Sequence, residues 1–400
     1  STYIGDTTLS AGVLSLNNAA ALGSGTLIIA GGSLNNTSGG LITLNNNVQN
    51  WSSDINFLGS NPLNLGSGSV TVTADRTVTV NASTLTVGGS ISAVGATLTK
   101  AGSGALVLSG TNSFGGVSMT AGSLLLQSQN ALSGGSLSLT GGTLDLGGYI
   151  QSITSGSFIS GKVLNGTISS SSVLTVSSFD IGVRLTGTGS LLKQGSGTVV
   201  VTGVANDFSG DTNLNGGTLI LNSDAALGTG TLNVNGGSLG VSAAGLVTLS
   251  SNPQSWASDF SFFGPGTLAL GSGEVTLTAS RTVNVASGSL DVGGVIGDGG
   301  NAFNLVKSGS GMLVLGAANT FSGDFILNAG SVNTTITGAL GGGNVTVTGG
   351  SLNLQNTAQD ASGVLSVSGG FVSGGTINLS GSGLALSGGK ISADLAGSGG

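Results

Sequence analysis

The chain has 400 residues and carries very little charge, because only 6% of them are Asp, Glu, Lys or Arg, against roughly a quarter in globular domains. Eight Lys and Arg residues cannot neutralise a phosphate backbone, which excludes nucleic-acid binding. Without His or Cys, the common catalytic triads and most zinc sites are excluded as well, and we expect neither a metal nor a cofactor. No apolar run is long enough to insert into a membrane as a helix.

Alternation of apolar and polar residues predicts short strands along the whole chain. In chain order, clear examples are residues 84–87, 105–108, 143–146 and 218–221, each with glycine at one end or both. The apolar share of 38% and the mean hydropathy of +0.42 argue against disorder. No segment shows helical periodicity, so the predicted fold class is all-β.

The arrangement of these strands favours a right-handed parallel β-helix, or β-solenoid, that forms a single continuous rod. The spacing of the corners is irregular, and no segment has the size of one sandwich or propeller blade. Glycine and asparagine suit the corners of a solenoid because both tolerate left-handed backbone angles. Inward Leu, Val and Ile side chains would stack in ladders, while outward Ser, Thr and Asn side chains would face water.

A long internal repeat divides the sequence. The segment Trp51–Asp54 recurs as Trp256–Asp259, a shift of 205 positions that other landmarks share. We therefore expect two long repeats of one solenoid, residues 1–204 and 205–400, without a linker between them. What is built twice is expected to be scaffold.

The two ends of the sequence predict a longer array. The first residues read as the second half of a shorter motif, and residues 395–400 match residues 185–190, which precede the opening of that motif at Leu191. We expect the 400 residues to be a window of a chain in which the next motif follows residue 400.

The shorter motif occurs three times and begins with Lys-x-Gly-Ser-Gly. It continues through an apolar strand to Asn, an aromatic residue and Gly. Its copies contain Lys100, Gly102, Gly104, Asn112 and Phe114, then Lys193, Gly195, Gly197, Asn206 and Phe208, then Lys307, Gly309, Gly311, Asn319 and Phe321. The lysine has two possible roles, capping corner carbonyls or interrupting an apolar strand against lateral aggregation.

This motif resembles the autotransporter-associated β-strand repeat, also called the passenger-associated transport repeat. The resemblance implies the passenger region of a large bacterial surface or secreted protein. It also implies export through an outer-membrane translocator, with the chain crossing unfolded and folding outside the cell. Further copies of the repeat would be its stacking partners.

The duplicated tryptophans are the best candidates for a binding site. Trp51 with Asp54, and Trp256 with Asp259, could stack on and hydrogen-bond a sugar. In the structural alternative, each tryptophan packs over an irregular corner and each aspartate accepts hydrogen bonds from turn amides.

Paired carboxylates are the remaining route to catalysis, because many β-helix proteins degrade polysaccharides. Asp207 and Asp211 form the closest pair, followed by Asp291 and Asp298. Neither pair has an equivalent in the other long repeat. We therefore expect no catalytic residues, and the sequence predicts a non-enzymatic, extracellular or cell-surface structural protein that forms a stalk or a self-assembling fibre. The alternatives are an adhesin that binds glycans or neighbouring surfaces through the tryptophan corners, and a polysaccharide-degrading enzyme.

Overall fold

A computed structural model describes residues 3–132, 134–203, 205–380 and 383–397. Within these ranges the chain forms strands, turns and bends, and no helix occurs that could span a membrane. The expected relation between residues 395–400 and residues 185–190 lies partly outside the described ranges. The all-β prediction is confirmed.

The chain forms two compact units, residues 1–189 and residues 190–400. In the first unit the strands are β1 (Thr7–Leu9), β2 (Val13–Leu16), β3 (Leu27–Ile29), β4 (Ser33–Asn36), β5 (Ile42–Thr43), β6 (Gln49–Trp51), β7 (Ile55–Phe57), β8 (Leu63–Asn64), β9 (Val70–Val72), β10 (Arg76–Val80), β11 (Thr84–Val87), β12 (Ile91–Ala101), β13 (Ala105–Leu108), β14 (Ser113–Met119), β15 (Ser123–Leu126), β16 (Ser136–Leu139), β17 (Thr143–Asp145), β18 (Ile150–Ile153), β19 (Ser155–Ser170) and β20 (Leu174–Gly187).

In the second unit the strands are β21 (Leu191–Lys193), β22 (Thr198–Val201), β23 (Thr212–Leu214), β24 (Thr218–Leu221), β25 (Leu232–Val234), β26 (Ser238–Gly240), β27 (Leu246–Thr248), β28 (Gln254–Trp256), β29 (Phe260–Phe263), β30 (Thr267–Ala269), β31 (Val275–Leu277), β32 (Arg281–Val285), β33 (Ser289–Val292), β34 (Ile296–Gly297), β35 (Leu305–Ser308), β36 (Met312–Leu315), β37 (Phe325–Leu327), β38 (Ser331–Thr334), β39 (Val345–Val347), β40 (Ser351–Asn353), β41 (Ala358–Ala361), β42 (Val364–Val367), β43 (Phe371–Ser373), β44 (Thr376–Leu379), β45 (Gly383–Leu386), β46 (Lys390–Ile391) and β47 (Asp394–Ala396).

Within each unit the strands pair in parallel with strands of the next turn, which is the pairing of a β-solenoid. In the first unit Thr7 is opposite Leu27, 20 residues later, whereas Gly156 is opposite Leu174, only 18 residues later. The turns, about 19 over the described residues, therefore differ in length, and the variation is absorbed at the corners. The parallel β-solenoid is confirmed, while its right-handed sense, the single rod and the two long repeats as domains stay predictions.

The core of the first unit contains a ladder of identical side chains. Leu63, Leu85, Leu106, Leu124 and Leu144 occupy register positions on successive turns, and all five are fully buried. Strand period two directs these side chains inward while their neighbours in the strand face outward. Burial of a leucine side chain contributes roughly 2 kcal/mol, and here each leucine contacts the one above and the one below.

The second unit contains a similar ladder, in which one valine replaces a leucine. Leu268, Leu290, Leu313, Val332 and Leu352 follow one another in register, and each is at most 1% exposed. Since every turn is stabilised by its two neighbours, stability is distributed along each unit rather than concentrated in one centre.

Buried amides hold the turns that leave this core. In the first unit the Asn112 side chain donates to the carbonyl of Ala131 at 2.9 Å. Gln151, one turn further on, accepts a hydrogen bond from the amide of Leu132 at 3.1 Å and donates to the carbonyl of Ser128 at 2.9 Å. The turn at residues 128–132 is therefore held by a side-chain amide from the turn on either side of it.

Candidate functional site: the lysine and tryptophan corners

The lysine corner is built around a fully buried ammonium group. Lys100 lies in β12, and alternation from the buried Leu98 directs its side chain into the core. Its Nζ donates hydrogen bonds to the carbonyls of Ala101, Gly102 and Ala121, at 2.8, 2.8 and 3.2 Å. An ammonium group has three protons, so the cage of three carbonyls uses all of them.

The same cage recurs at the other two copies of the motif. Lys193 and Lys307 are also fully buried. Their Nζ atoms donate at 2.7–3.1 Å to the carbonyls of Gln194, Gly195 and Gly216, and of Ser308, Gly309 and Ala329. The hydrogen bonds support the first of the two roles that the sequence left open, the capping of corner carbonyls.

Two glycines make room for each cage. Gly102 has φ of +75°, which turns its carbonyl towards Nζ and is a conformation that other residues rarely adopt. A Cβ on Gly122, in the next turn, would lie 2.9 Å from Lys100 Nζ. The corresponding distances are 2.6 Å at Gly217 and 2.9 Å at Gly330. The spacing of lysine and glycine in the motif is thus a packing requirement.

The remaining motif glycines pack at the same corner, whereas the motif aromatic residues and asparagines lie elsewhere along the turn. A Cβ on Gly104 or Gly311 would collide with a core valine, and the carbonyl of Gly197 accepts from the amide of Thr218. The aromatic residues Phe114, Phe208 and Phe321 are all buried. The motif asparagines donate to turn carbonyls, Asn112 to Ala131, Asn206 to Ala226 and Asn319 to Ala339.

Burial changes the acidity of the lysines. Desolvation lowers the pKa of Lys100 and of Lys307 to about 8, and it lowers the pKa of Lys193 as well. No ion pair involves these lysines among the described residues. The carbonyl dipoles of the cage are therefore the groups that offset the cost of burying each charge.

The tryptophan corner is also interior. Trp51 is 0% exposed and Trp256 is 1% exposed. Each indole Nε1 donates to a buried glutamine two residues earlier, Trp51 to Gln49 at 3.1 Å and Trp256 to Gln254 at 3.2 Å. Because neither indole reaches the surface, neither can stack on a sugar from solvent, and the burial favours the structural alternative.

The charged residues of this corner bind backbone. Asp54 accepts from the amide of Thr77 at 2.9 Å, and Asp259 accepts from the amide of Thr282 at 2.8 Å. Arginine completes the corner, since Arg281 Nε donates to the carbonyl of Trp256 at 2.9 Å. The guanidinium also reaches Ala257 O at 2.8 Å and Ser280 O at 3.1 Å.

In the first copy Arg76 makes the corresponding contacts. Its Nε lies 3.1 Å from Trp51 O, and its terminal nitrogens lie 2.9 Å from Ser52 O and 2.7 Å from Asp75 O. The arginine was not among the candidate residues predicted from sequence. Its recurrence 205 positions apart, each time as the first residue of the five-residue strands β10 and β32, was the available signal.

Of the carboxylates considered for catalysis, Asp211 and Asp298 accept hydrogen bonds from backbone amides, and Asp291 accepts one from the Ser289 hydroxyl at 2.6 Å. Asp211 accepts from the amide of Thr231 at 2.9 Å. Burial would raise the pKa of Asp298, but hydrogen bonds from the amides of Ser322, Gly300 and Phe303 and from the Ser322 hydroxyl outweigh burial and lower that pKa. In the described ranges no cluster of three acidic side chains could hold a metal ion.

Sequence reasoning missed a buried polar row next to each tryptophan. Asn47, Gln49 and Trp51 alternate inward, and Asn252 and Gln254 stand in the same relation to Trp256. The spacing Asn-x-Gln-x-Trp in both long repeats was the signal that could have found it. An amide row placed where the pattern requires apolar side chains marks a site with its own hydrogen-bonding demand.

Comparison with known families accounts for the lysine corners. The model of the passenger-associated transport repeat matches residues 1–16, 98–146, 191–221 and 305–338. The chain carries passenger-associated transport repeats. The resemblance predicted from sequence is confirmed, and the last three matched segments each contain one buried lysine with its carbonyl cage.

A relative of known name shares part of the sequence. The chain is 41% identical over 127 residues to the Adhesin BmaC autotransporter of Brucella suis biovar 1 (strain 1330). The aligned part is 29% of this chain and 4% of that protein, so the chain spans only a small fraction of the relative's length. No solved structure matches the chain.

Proposed function

We propose that this chain is a non-enzymatic stalk segment of a bacterial surface or secreted protein, exported as the passenger of an autotransporter. The observation that carries the proposal is the structural use of the transport repeats. Each buried motif lysine donates all three protons to corner carbonyls. The ammonium groups of these lysines therefore stabilise the coil and are not free to take part in catalysis.

The proposed partner is an outer-membrane translocator domain, and the proposed location is the cell surface or the medium. The repeat match and the named relative, itself an autotransporter, support both. A solenoid suits this route because its contacts are between successive turns. Each turn can therefore add to the one already formed as the chain emerges.

Export and exposure can be tested on cells that encode the chain. An antibody against residues 1–400 should label intact cells or the cleared medium. Inactivation of the translocator domain attached to the chain should abolish that labelling and leave the protein inside the envelope. Labelling only after lysis in the unmodified cells would reject the proposed location, and labelling that survives loss of the translocator would reject the proposed partner.

Adhesion is the second candidate function, and the name of the relative favours it. The tryptophan corners are interior, so a binding surface would have to be an outer face. One such face carries a row of half-buried hydroxyls in register on successive turns, the hydroxyl row, Thr77, Thr99, Ser118, Ser138, Ser157 and Thr175. This uncharged row could hydrogen-bond a glycan chain laid across the strands.

Adhesion and stalk functions can be separated with purified protein. If the segment is adhesive, beads coated with residues 1–400 should bind glycan-bearing cells or surfaces. Ser118→Glu with Ser138→Glu should reduce that binding at least tenfold, whereas substitution of two exposed serines outside the hydroxyl row, Ser242→Glu with Ser272→Glu, should not. Equal binding by beads coated with an unrelated β-solenoid would reject adhesion and leave the stalk proposal intact. Lateral or end-to-end fibres, seen by electron microscopy, would add self-assembly to the stalk.

A further inference from the structure

The buried amide rows beside the tryptophans contain an acceptor without a partner. Asn47 is 3% exposed and donates through Nδ2 to the carbonyls of Gly23, at 3.2 Å, and Gly25, at 2.8 Å. These two bonds fix the orientation of the amide and turn Oδ1 away from both carbonyls. Oδ1 is buried and has no hydrogen-bond partner.

The second long repeat contains the same arrangement. Asn252 is also 3% exposed, and its Nδ2 donates to Gly228 O at 3.1 Å and to Gly230 O at 2.7 Å. Its Oδ1 is again buried without a partner. An unpaired buried carbonyl costs about 1–3 kcal/mol, and two copies at equivalent positions indicate a requirement of the site rather than an accident of packing.

The neighbouring glutamine offers the complementary group. Gln49 accepts the indole proton of Trp51 through Oε1 and donates through Nε2 to Leu65 O at 3.2 Å. A primary amide has two N–H protons, so one proton of Gln49 remains available beside Asn47. The two side chains point to the same inner face because they are two residues apart along an extended segment.

We propose that each amide row binds one internal water molecule, held between the Oδ1 of Asn47 and the spare N–H of Gln49 and, in the second repeat, between Asn252 and Gln254. Water fits because it donates to the orphan oxygen and accepts from the amide at once. Buried waters in proteins commonly satisfy such otherwise unpaired groups. A metal cation would be repelled by the adjacent N–H group, and an apolar guest would leave the carbonyl unpaired.

The site has a consequence for the solenoid. The apolar stack between Leu27 and Val70 is interrupted at Gln49, and the stack between Leu232 and Val275 is interrupted at Gln254. Both polar layers lie next to the only two tryptophans in the sequence. Exchange of the internal water with solvent requires the turn to open transiently. Exchange of the water at each amide row therefore reports on the opening of that turn.

Nuclear magnetic resonance on the deuterated 400-residue protein tests the site directly. Rotating-frame cross-peaks between water and the side-chain amide protons of Asn47, Gln49, Asn252 and Gln254 are expected. The control is Asn112, which is also buried but has a partner for the oxygen as well as for the nitrogen. Its side-chain amide should show no such cross-peak.

A variant locates the water at the orphan oxygen. Asn47→Leu should remove the cross-peak at Gln49 while the peaks at Asn252 and Gln254 persist in the same molecule, which also shows that the variant is folded. If that variant does not fold, Asn252→Leu provides the mirror experiment. Absence of water peaks at either row, a peak retained after the substitution, or a crystal structure with a metal ion or a direct protein donor at Oδ1 would overturn the proposal.

Discussion

The lysine corner and the tryptophan corner both supply hydrogen-bond donors to backbone carbonyls, the first from the interior and the second from the surface. At both corners backbone carbonyls lose their strand partners and need a donor. Lys100 supplies that donor from inside the core, fully buried and with no carboxylate nearby. Arg281 supplies it from the surface, while Trp256 fills the space beneath.

The two corners differ in the desolvation cost of their donor. An interior ammonium must be desolvated, and only a complete cage of carbonyls makes that tolerable. A surface guanidinium keeps part of its hydration and binds carbonyls with little penalty. Removal of an interior group should therefore lower the free energy of unfolding more than removal of a surface group.

The tryptophan is expected to give the largest effect. Trp256→Ala should lower the free energy of unfolding of the second unit by about 4 kcal/mol, because it leaves a large cavity in the core. Denaturant unfolding followed by circular dichroism measures the loss. Leu246→Ala, at a leucine that is 64% exposed, is the matched control and should change stability by less than about 0.5 kcal/mol. Equal effects of the two substitutions would show that Trp256 is not part of the core.

Removal of a caged lysine is expected to give the second-largest loss of stability. Lys100→Met keeps the length of the side chain but leaves three carbonyls without a donor, so we expect a loss of about 3 kcal/mol. The exposed Lys162 offers the control, since Lys162→Met should be almost neutral. A stability change that is the same for both variants would mean that the cage contributes nothing.

Alkaline pH should raise the stability contributed by the lysine corners. The pKa of Lys100 and Lys307 is about 8 in the folded chain and about 10.4 when unfolded. Between these values the unfolded chain binds more protons, so stability rises with pH, by up to about 1.4 kcal/mol per pH unit for each lysine. Unfolding measured from pH 7 to pH 10 should show the rise, and Lys307→Met should remove part of it. Stability that falls steadily over this range would contradict the prediction.

Substitution of the surface arginine should give the smallest loss of stability. Arg281→Gln should cost about 1 kcal/mol, since the carbonyls it binds can turn to water. Arg76→Gln should give the same loss in the first unit, because its contacts are equivalent. Hydrogen exchange resolved along the sequence would locate both changes at the corners. A loss as large as that for the lysine would remove the distinction between interior and surface donors.

Much of the fold and of the lysine corner could be predicted from sequence, because the same pattern of residues recurs many times along the chain. Residues 84–87 and 105–108 alternate with period two, and the same alternation in turn after turn predicts stacked parallel strands with inward leucines. The Lys-x-Gly-Ser-Gly motif also predicted its own family. One copy would have been ambiguous, whereas three copies with fixed spacing were decisive.

The direction of the polar side chains could not be predicted in the same way. The sequence left two roles open for Trp51, sugar binding and packing over a corner, because a tryptophan near an aspartate suits both. Its burial depends on Gln49, an inward amide in a position where the pattern calls for an apolar residue. Hydrogen bonds between residues more than 20 positions apart, such as those of Arg76, depend on turn lengths that the alternation does not specify.

Hydrogen exchange of the Lys307→Met protein tests most directly that the transport-repeat motif is a structural device of the coil. If the cage holds the corner, amide exchange should accelerate in residues 305–331, which contain the lysine and its three carbonyls, while residues 27–100 keep their protection. Unchanged exchange in residues 305–331 would contradict the account, because the buried lysine would then hold nothing.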